Sequence, residues 1–239
     1  MTDTGLVRRE NQDAYAVREQ TASGYTICVV CDGMGGSAGG KLASRIGVDT
    51  FTAELEKRLR PGMTPEKLRE ASVQAVALAD EAIRAAAKHS EDYQNMGTTL
   101  VSAVSFHGGV VVANVGDSRA YHITKDRIVQ ITRDHSLVEH MVERGDITAE
   151  EARRHPNRNL ITRALGPGVD TECDCYTCRM QPGDFLLLCT DGLVNTVTDQ
   201  ELHREILQED LETCMDRLLA IAKGQGASDN ITAVLVRKL

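Results

Sequence analysis

Four short β-rich runs follow one another at residues 98–106, 110–115, 119–123 and 128–131, with only Gly108-Gly109, Gly116-Asp117 and Lys125-Asp126 to break them. A parallel return needs a crossover of a dozen residues or more, so breaks this short predict antiparallel neighbours. Further apolar strands are expected at 25–31, at 185–189 and at 231–236. Between these lie helical patterns. Residues 39–59 carry Leu42, Ile46, Leu55 and Leu59 at helical spacing, and Pro61 and Gly62 end that run. Thr64 caps a second helix with Pro65 in its first position, and Leu68, Ser72, Ala75, Ala79 and Ile83 line one face to about residue 88. A capping box, Thr198-Asp199-Gln200-Glu201, opens a helix, and another is expected over 210–223. Helices early and late around antiparallel strands predict an α+β chain of layered helices and sheets.

At 239 residues a single domain is expected, with a core that needs no disulfides. The formal net charge of −8 disfavours general nucleic-acid binding, which needs a basic footprint. Seven scattered cysteines fit a reducing compartment. No segment reaches the ~20 apolar residues of a membrane span, and the first residues hold no signal-peptide core. A soluble, cytoplasmic protein without membrane insertion is expected.

The functional signal lies at the strand ends. Asp32 follows YTICVVC, Asp117 follows VVVANVG, Asp191 follows FLLLCT, Asp229 precedes ITAVLV, and Asp13 precedes an apolar run in ENQDAYAV. Any one of them reads as a turn residue. Together, on adjacent strands, they would converge on one rim, where their repulsion raises their pKa values unless a cation intervenes. Oxygen-only donors select Mg²⁺ or Mn²⁺. A pair of such ions can hold a hydroxide and a phosphoryl group for in-line attack. The glycines after Asp32 let the chain turn tightly and offer a carbonyl to an ion. The stretch Gly35 to Lys41 also approaches the nucleotide-binding pattern G-x-x-x-x-G-K-[ST], but Leu42 stands where the Mg²⁺-binding hydroxyl belongs.

Eight blocks in order complete the picture: GLVRRENQDAY, VVCDGMGGSAGG, MGTTL, ANVGDSRAY, TRDHSL, PNRNLITRALG, PGDFLLLCTDGL and SDNIT. With these the chain resembles, over almost its full length, the metal-dependent Ser/Thr protein phosphatases of the protein phosphatase 2C type, in their short bacterial form. The resemblance implies a four-layer α-β-β-α sandwich, two central antiparallel sheets flanked by helices, forming a single catalytic domain over 1–239 with a flap at about 132–166. It implies hydrolysis of phosphoserine and phosphothreonine by a hydroxide bridging two divalent metals, with no covalent phosphoenzyme. By position, Asp32 matches the carboxylate that bridges two Mn²⁺ or Mg²⁺ ions and Gly33 the residue lending a backbone carbonyl. Asp191 and Asp229 match ligands of the first ion, and Asp13 serves the second, often through water. Asp117 with Asp191 matches a third, weaker ion site. Arg8 matches the arginine that grips the substrate phosphate, and Asn230 is a supporting neighbour. Phosphorylated proteins, and a Ser/Thr kinase sharing them, are the implied partners of an expected monomer.

Two positions depart from the pattern. Where many relatives carry a histidine as general acid, this chain has Met34 and Ser37. Removing a positioned acid typically costs about 10²–10⁴-fold. Alkyl phosphoesters should therefore turn over slowly and aryl phosphates suffer less. Cys173, Cys175 and Cys178 lack a zinc-finger spacing and read as reduced cysteines, with Cys178 facing away from the other two on a regular strand. Two rival functions remain: a regulatory relative without turnover, and a nucleotide hydrolase.

Overall fold

The apolar run after residue 24 becomes strand β3 (Tyr25–Met34), and its alternation sets the layering. Ile27, Val29 and Cys31 face one core, shared with helices α1 (Gly36–Arg58) and α2 (Pro65–Ala87). Cys28 and Val30 face another, together with Leu186 and Leu188 of β10 (Phe185–Cys189). Phe185, Leu187 and Cys189 turn the opposite way, into a third core with α5 (Asp191–Val194), α6 (Asp199–Gln208) and α7 (Leu211–Gly224). Strands buried on both faces read as continuous apolar runs, and here three cores stack between four layers. These are features of a computed structural model that describes residues 1–20, 24–168, 171–208 and 210–239; the side chains of Gln20, Ser37 and Ala38 are outside that description.

Both sheets are antiparallel. One runs β2 (Asp13–Gln20), β3, β5 (Leu100–Phe106), β6 (Gly109–Val115), β9 (Asp174–Arg179), with β4 (Gly97–Thr98) also paired to β3. The other runs β1 (Thr2–Asp3), β11 (Ile231–Arg237), β10, β7 (Arg119–Ile123), β8 (Ile128–Gln130). The α-β-β-α sandwich expected from the sequence is the fold observed. The helices start as their caps predict. Thr64 accepts the Lys67 N–H, Asp210 accepts those of Glu212 and Thr213, and Thr198 and Glu201 cap each other reciprocally. On α2, Leu68, Ala75, Ala79 and Ile83 are fully buried, each large side chain contributing about 1.5–3 kcal/mol.

One expectation from the short breaks is corrected. The hairpins at Gly108-Gly109 and Lys125-Asp126 form, but the Gly116-Asp117 break does not join sheet neighbours. Strand β6 pairs with β5 and β9, whereas β7 pairs with β10 and β8. The break carries the chain from one sheet to the other. Gly116 takes a φ of 102° there, and a Cβ on it would lie 2.5 Å from the Thr99 side chain. Periodicity reports strands but not the sheet each one joins.

Strands β1 and β9 are additions that the sequence did not signal: one has two residues, the other is half polar. In the segment 132–166, Thr132, Asp134, His135, Ser136, Ala164 and Leu165 are buried. Helices α3 (Leu137–Glu143) and α4 (Ala149–Arg154) contain no buried residue and form its outer part. Among the described residues no helix is long and apolar enough to cross a membrane.

Candidate metal centre

The cleft lies where the two sheets meet at one end. Asp13 opens β2 and is the register partner of Asp32 near the end of β3. Asp191 begins α5 directly after β10, Asp229 precedes β11, and Asp117 sits in the link between the sheets. Arg8, Asp32, Gly33, Asp117, Asp191 and Asp229 line one cleft. Asp13 stands behind its wall, where its Oδ2 accepts the Thr190 hydroxyl at 3.0 Å.

The backbone around these side chains is tightly held. The Asp32 N–H donates to the Thr99 hydroxyl at 3.0 Å, and its carbonyl accepts the Thr98 hydroxyl at 2.8 Å. A Cβ on Gly33 would lie 2.1 Å from the Gly40 carbonyl oxygen, so only glycine lets the end of β3 pack against the first turns of α1. This answers the nucleotide-loop pattern. Residues 36 to 41 already belong to α1, and the glycines serve helix-to-strand contact. Asn230 ties the N-terminal segment to β11. Its Nδ2 donates to the carbonyls of Thr4 at 2.9 Å and Glu10 at 3.0 Å, and its Oδ1 accepts the Gln12 N–H at 2.9 Å.

Electrostatically the rim is acidic and underpaired. Burial pushes the carboxyls of Asp32, Asp117 and Asp191 upward, and the neighbouring aspartates push them further. Asp13 is raised to about 7, by burial first and then by Asp191 and Asp229. Arg8 donates to Asp229 Oδ2 at 2.8 Å, and Asn195 donates to Asp191 Oδ2 at 2.9 Å. Asp32 and Asn195 beside it offset part of the rise at Asp191.

The residues fit hard divalent cations. The inward oxygens Asp13 Oδ1 and Asp191 Oδ1 are buried with no hydrogen-bond partner, an expensive state for a polar atom unless a ligand completes it. Every candidate donor is oxygen, the set that Mg²⁺ and Mn²⁺ prefer. Among the described residues, no three His, Cys, Asp or Glu side chains stand close enough to hold an ion as placed.

Some neighbours escaped the sequence reading. Arg119 binds Asp134 through three hydrogen bonds of 2.7–3.0 Å. His135 receives the Gly116 N–H on Nδ1 at 3.0 Å and returns its own backbone N–H to the Gly116 carbonyl at 3.0 Å, while its carbonyl accepts the Thr162 N–H at 2.7 Å. Their presence in the GDSR and TRDHS blocks was the available signal, but no spacing rule pairs them.

A two-sheet sandwich with an all-oxygen acidic cleft is the kind of site that takes divalent metal ions. The family model for protein phosphatase 2C matches residues 7–235. The serine/threonine phosphatase stp of Listeria innocua is 37% identical, over 99% of this chain and 94% of its own length. The crystal structure of serine/threonine phosphatase Stp1 from Staphylococcus aureus superposes with a TM-score of 0.92 at 36% identity, covering 100% of this chain and 93% of that one. The catalytic domain of the serine threonine protein phosphatase PstP, in complex with 2 manganese ions, has a TM-score of 0.81 at 32% identity, covering 98% of this chain and 94% of that one. The chain belongs to the protein phosphatase 2C family and is a metal-dependent protein phosphatase, acting on phosphoproteins with divalent cations as cofactor.

Proposed function

We propose that the protein hydrolyses phosphoserine and phosphothreonine by direct attack of water, with no covalent phosphoenzyme. The observation that carries this reading is the convergence of four cleft-lining aspartates with the half-exposed guanidinium of Arg8. When bound, the cation pair supplies a bridging hydroxide as nucleophile and offsets the charge of the phosphoryl group. Asp32 would bridge the two ions, Asp191, Asp229 and the Gly33 carbonyl would complete the first site, and Asp13 would serve the second through water. Asp117 and Asp191 would hold a third, weaker ion.

The remaining tasks fall to the chain's own groups. Arg8 contacts Asp229 through Nη2 alone, so its other N–H groups are available to a phosphate oxygen; a guanidinium fork suits that geometry. Asn195 and Thr190 orient the carboxylates of Asp191 and Asp13. Asn159 and Ile161 close the cleft from the 132–166 segment, consistent with a flap that shapes substrate access. Met34 lines the cleft but has no proton to give, and the Ser37 side chain lies outside the described residues. Leu42 in place of the Mg²⁺-binding hydroxyl, with residues 36 to 41 already helical, speaks against a nucleotide loop, and the retention of five aspartates speaks against a relative without turnover. A monomer in the cytoplasm, sharing its phosphoproteins with a Ser/Thr kinase, completes the reading.

A phosphothreonine peptide assayed with Mn²⁺ should be hydrolysed, chelator should abolish turnover, and a phosphotyrosine peptide and ATP should react poorly. Preference for ATP, or activity indifferent to chelator, would overturn the assignment. Arg8→Ala should lower kcat/KM roughly 10- to 100-fold, the weight of one charged hydrogen bond.

A further inference from the structure

The CDCYTC run has no part in the cleft described above. Cys173 stands just before β9 and Cys175 lies within it, both half-buried and packed on the helix side of the sheet; Cys178 faces the core between the sheets. The Cys173 thiol donates to the Asp174 carbonyl at 3.5 Å. Both cysteines open to a surface groove formed with Arg69, Glu70, Val73 and Gln74 of α2. Cys173 and Arg69 lower the Cys175 thiol, with burial and Asp174 opposing. The thiolate is the reactive form of cysteine.

Asp174, between them, leads to the cleft. Its Oδ1 accepts Arg163 Nη1 at 3.0 Å, and its Oδ2 lies 3.2 Å from His135 Nε2 and 3.3 Å from the Tyr176 hydroxyl. Because His135 Nδ1 already accepts the Gly116 N–H, a neutral ring carries its proton on Nε2 and donates it to Asp174. Gly116 is the residue before Asp117. A continuous chain of contacts thus runs from the thiol pair through Asp174 and His135 to the link that carries Asp117.

We propose that Cys173 and Cys175 are a modification site, oxidised by hydroperoxides to a reversible disulfide, and that closing it displaces Asp174 and loosens the Gly116-Asp117 link. Residues two apart on an extended strand have Cα atoms about 6.6 Å apart. That is near the ~6.8 Å upper limit for a disulfide, whose Cβ atoms must approach to about 3.8 Å. Closure therefore bends the backbone at the residue between, which is Asp174. The Cys175 thiolate attacks one peroxide oxygen, giving a sulfenic acid and, after protonation of the leaving hydroxide, water. Cys173 sulfur then displaces the sulfenic oxygen as a second water. Two S–H bonds are lost, one S–S bond forms, and two electrons pass to the peroxide. A strained, accessible disulfide is readily reduced, which suits a reversible mark.

The chemistry at sulfur is independent of the metal-site reading; its effect on turnover rests on it. The experiment treats the full-length protein with hydrogen peroxide and follows three readouts: peptide mass mapping, amide exchange at Gly116, and Mn²⁺-supported phosphatase turnover. The expected result is a Cys173–Cys175 cross-link, faster Gly116 exchange, and a drop in turnover of about 10- to 100-fold, as for loss of an outer-shell partner. Dithiothreitol should restore all three. Cys175→Ser should keep basal turnover and resist peroxide, while Cys178→Ser should respond like the wild type. Absence of the cross-link overturns the proposal. So does a cross-link that leaves Gly116 exchange unchanged, or equal peroxide inactivation of wild type and Cys175→Ser. If the reduced protein shows no turnover at all, the phosphatase reading fails while mapping and exchange still decide this one.

Discussion

Two clusters of buried charge lie within a few residues of each other and follow opposite plans. At the cleft, Asp13, Asp32, Asp117 and Asp191 crowd together, and burial plus mutual repulsion disfavours their charged forms. At the start of β7, Arg119 meets Asp134 with three hydrogen bonds, and Gln130 adds a fourth to the same carboxylate at 2.9 Å. The first cluster is compensated only in part, by Arg8 at its rim. The second is balanced within itself. Removing a charge should therefore help the first and harm the second, which separates residues kept for chemistry from residues kept for the fold.

The sharpest test is Asp191→Asn. Turnover should fall by more than about 100-fold, beyond the usual loss for an outer-shell partner, while the melting temperature of the metal-free protein rises. A lower melting temperature would erase the contrast. Next comes Arg119→Ala, expected to cost about 3–5 kcal/mol because it strands a buried carboxylate; chemical denaturation measures it, and wild-type stability would show that the pair is not structural. Asn230→Ala deletes three hydrogen bonds from a buried amide and should cost about 1–3 kcal/mol. Since it frees the segment bearing Arg8, kcat/KM should fall with it.

The smallest effect concerns pH. The Asp13 carboxyl is raised to about 7 in the folded chain, whereas an unfolded aspartate titrates near about 3.9. Between these values the metal-free folded state holds a proton that the unfolded state has released, so stability falls as pH rises through that window. Melting of the metal-free protein should be lower at pH 8 than at pH 5 by at least about 2–4 °C, the response to 1 kcal/mol in a chain of this size. Saturating Mn²⁺ should remove the difference. A metal-free melting point that climbs with pH would contradict the raised carboxyl.

What could be read in the sequence follows from what periodicity and chain punctuation encode. Strand ends marked by aspartate, caps at Thr64 and Thr198, and the two-faced apolar runs were all local signals, and the sheets and helices formed where they indicated. The cleft was legible because each carboxylate marks its own strand end. Contacts between distant positions were not. Nothing in the spacing joins Arg119 to Asp134, His135 to Gly116, or Asn230 to Thr4 and Glu10. The crossing at Gly116-Asp117 looked like a hairpin because a short polar break is the same string whether the next strand returns to its own sheet or enters the other. Strand β9 was hidden because its sequence, DCYTCR, lacks an apolar alternation and it lies at a sheet edge, where burial demands little.

The Asn230 tie has a consequence in time as well as space. Residues 4 to 12 cannot take their final place until Asn230 exists to receive them, and β1 waits likewise for β11. On the ribosome, a growing chain therefore presents Arg8 and Asp13 long before Asn230 and β11 emerge to complete the cleft.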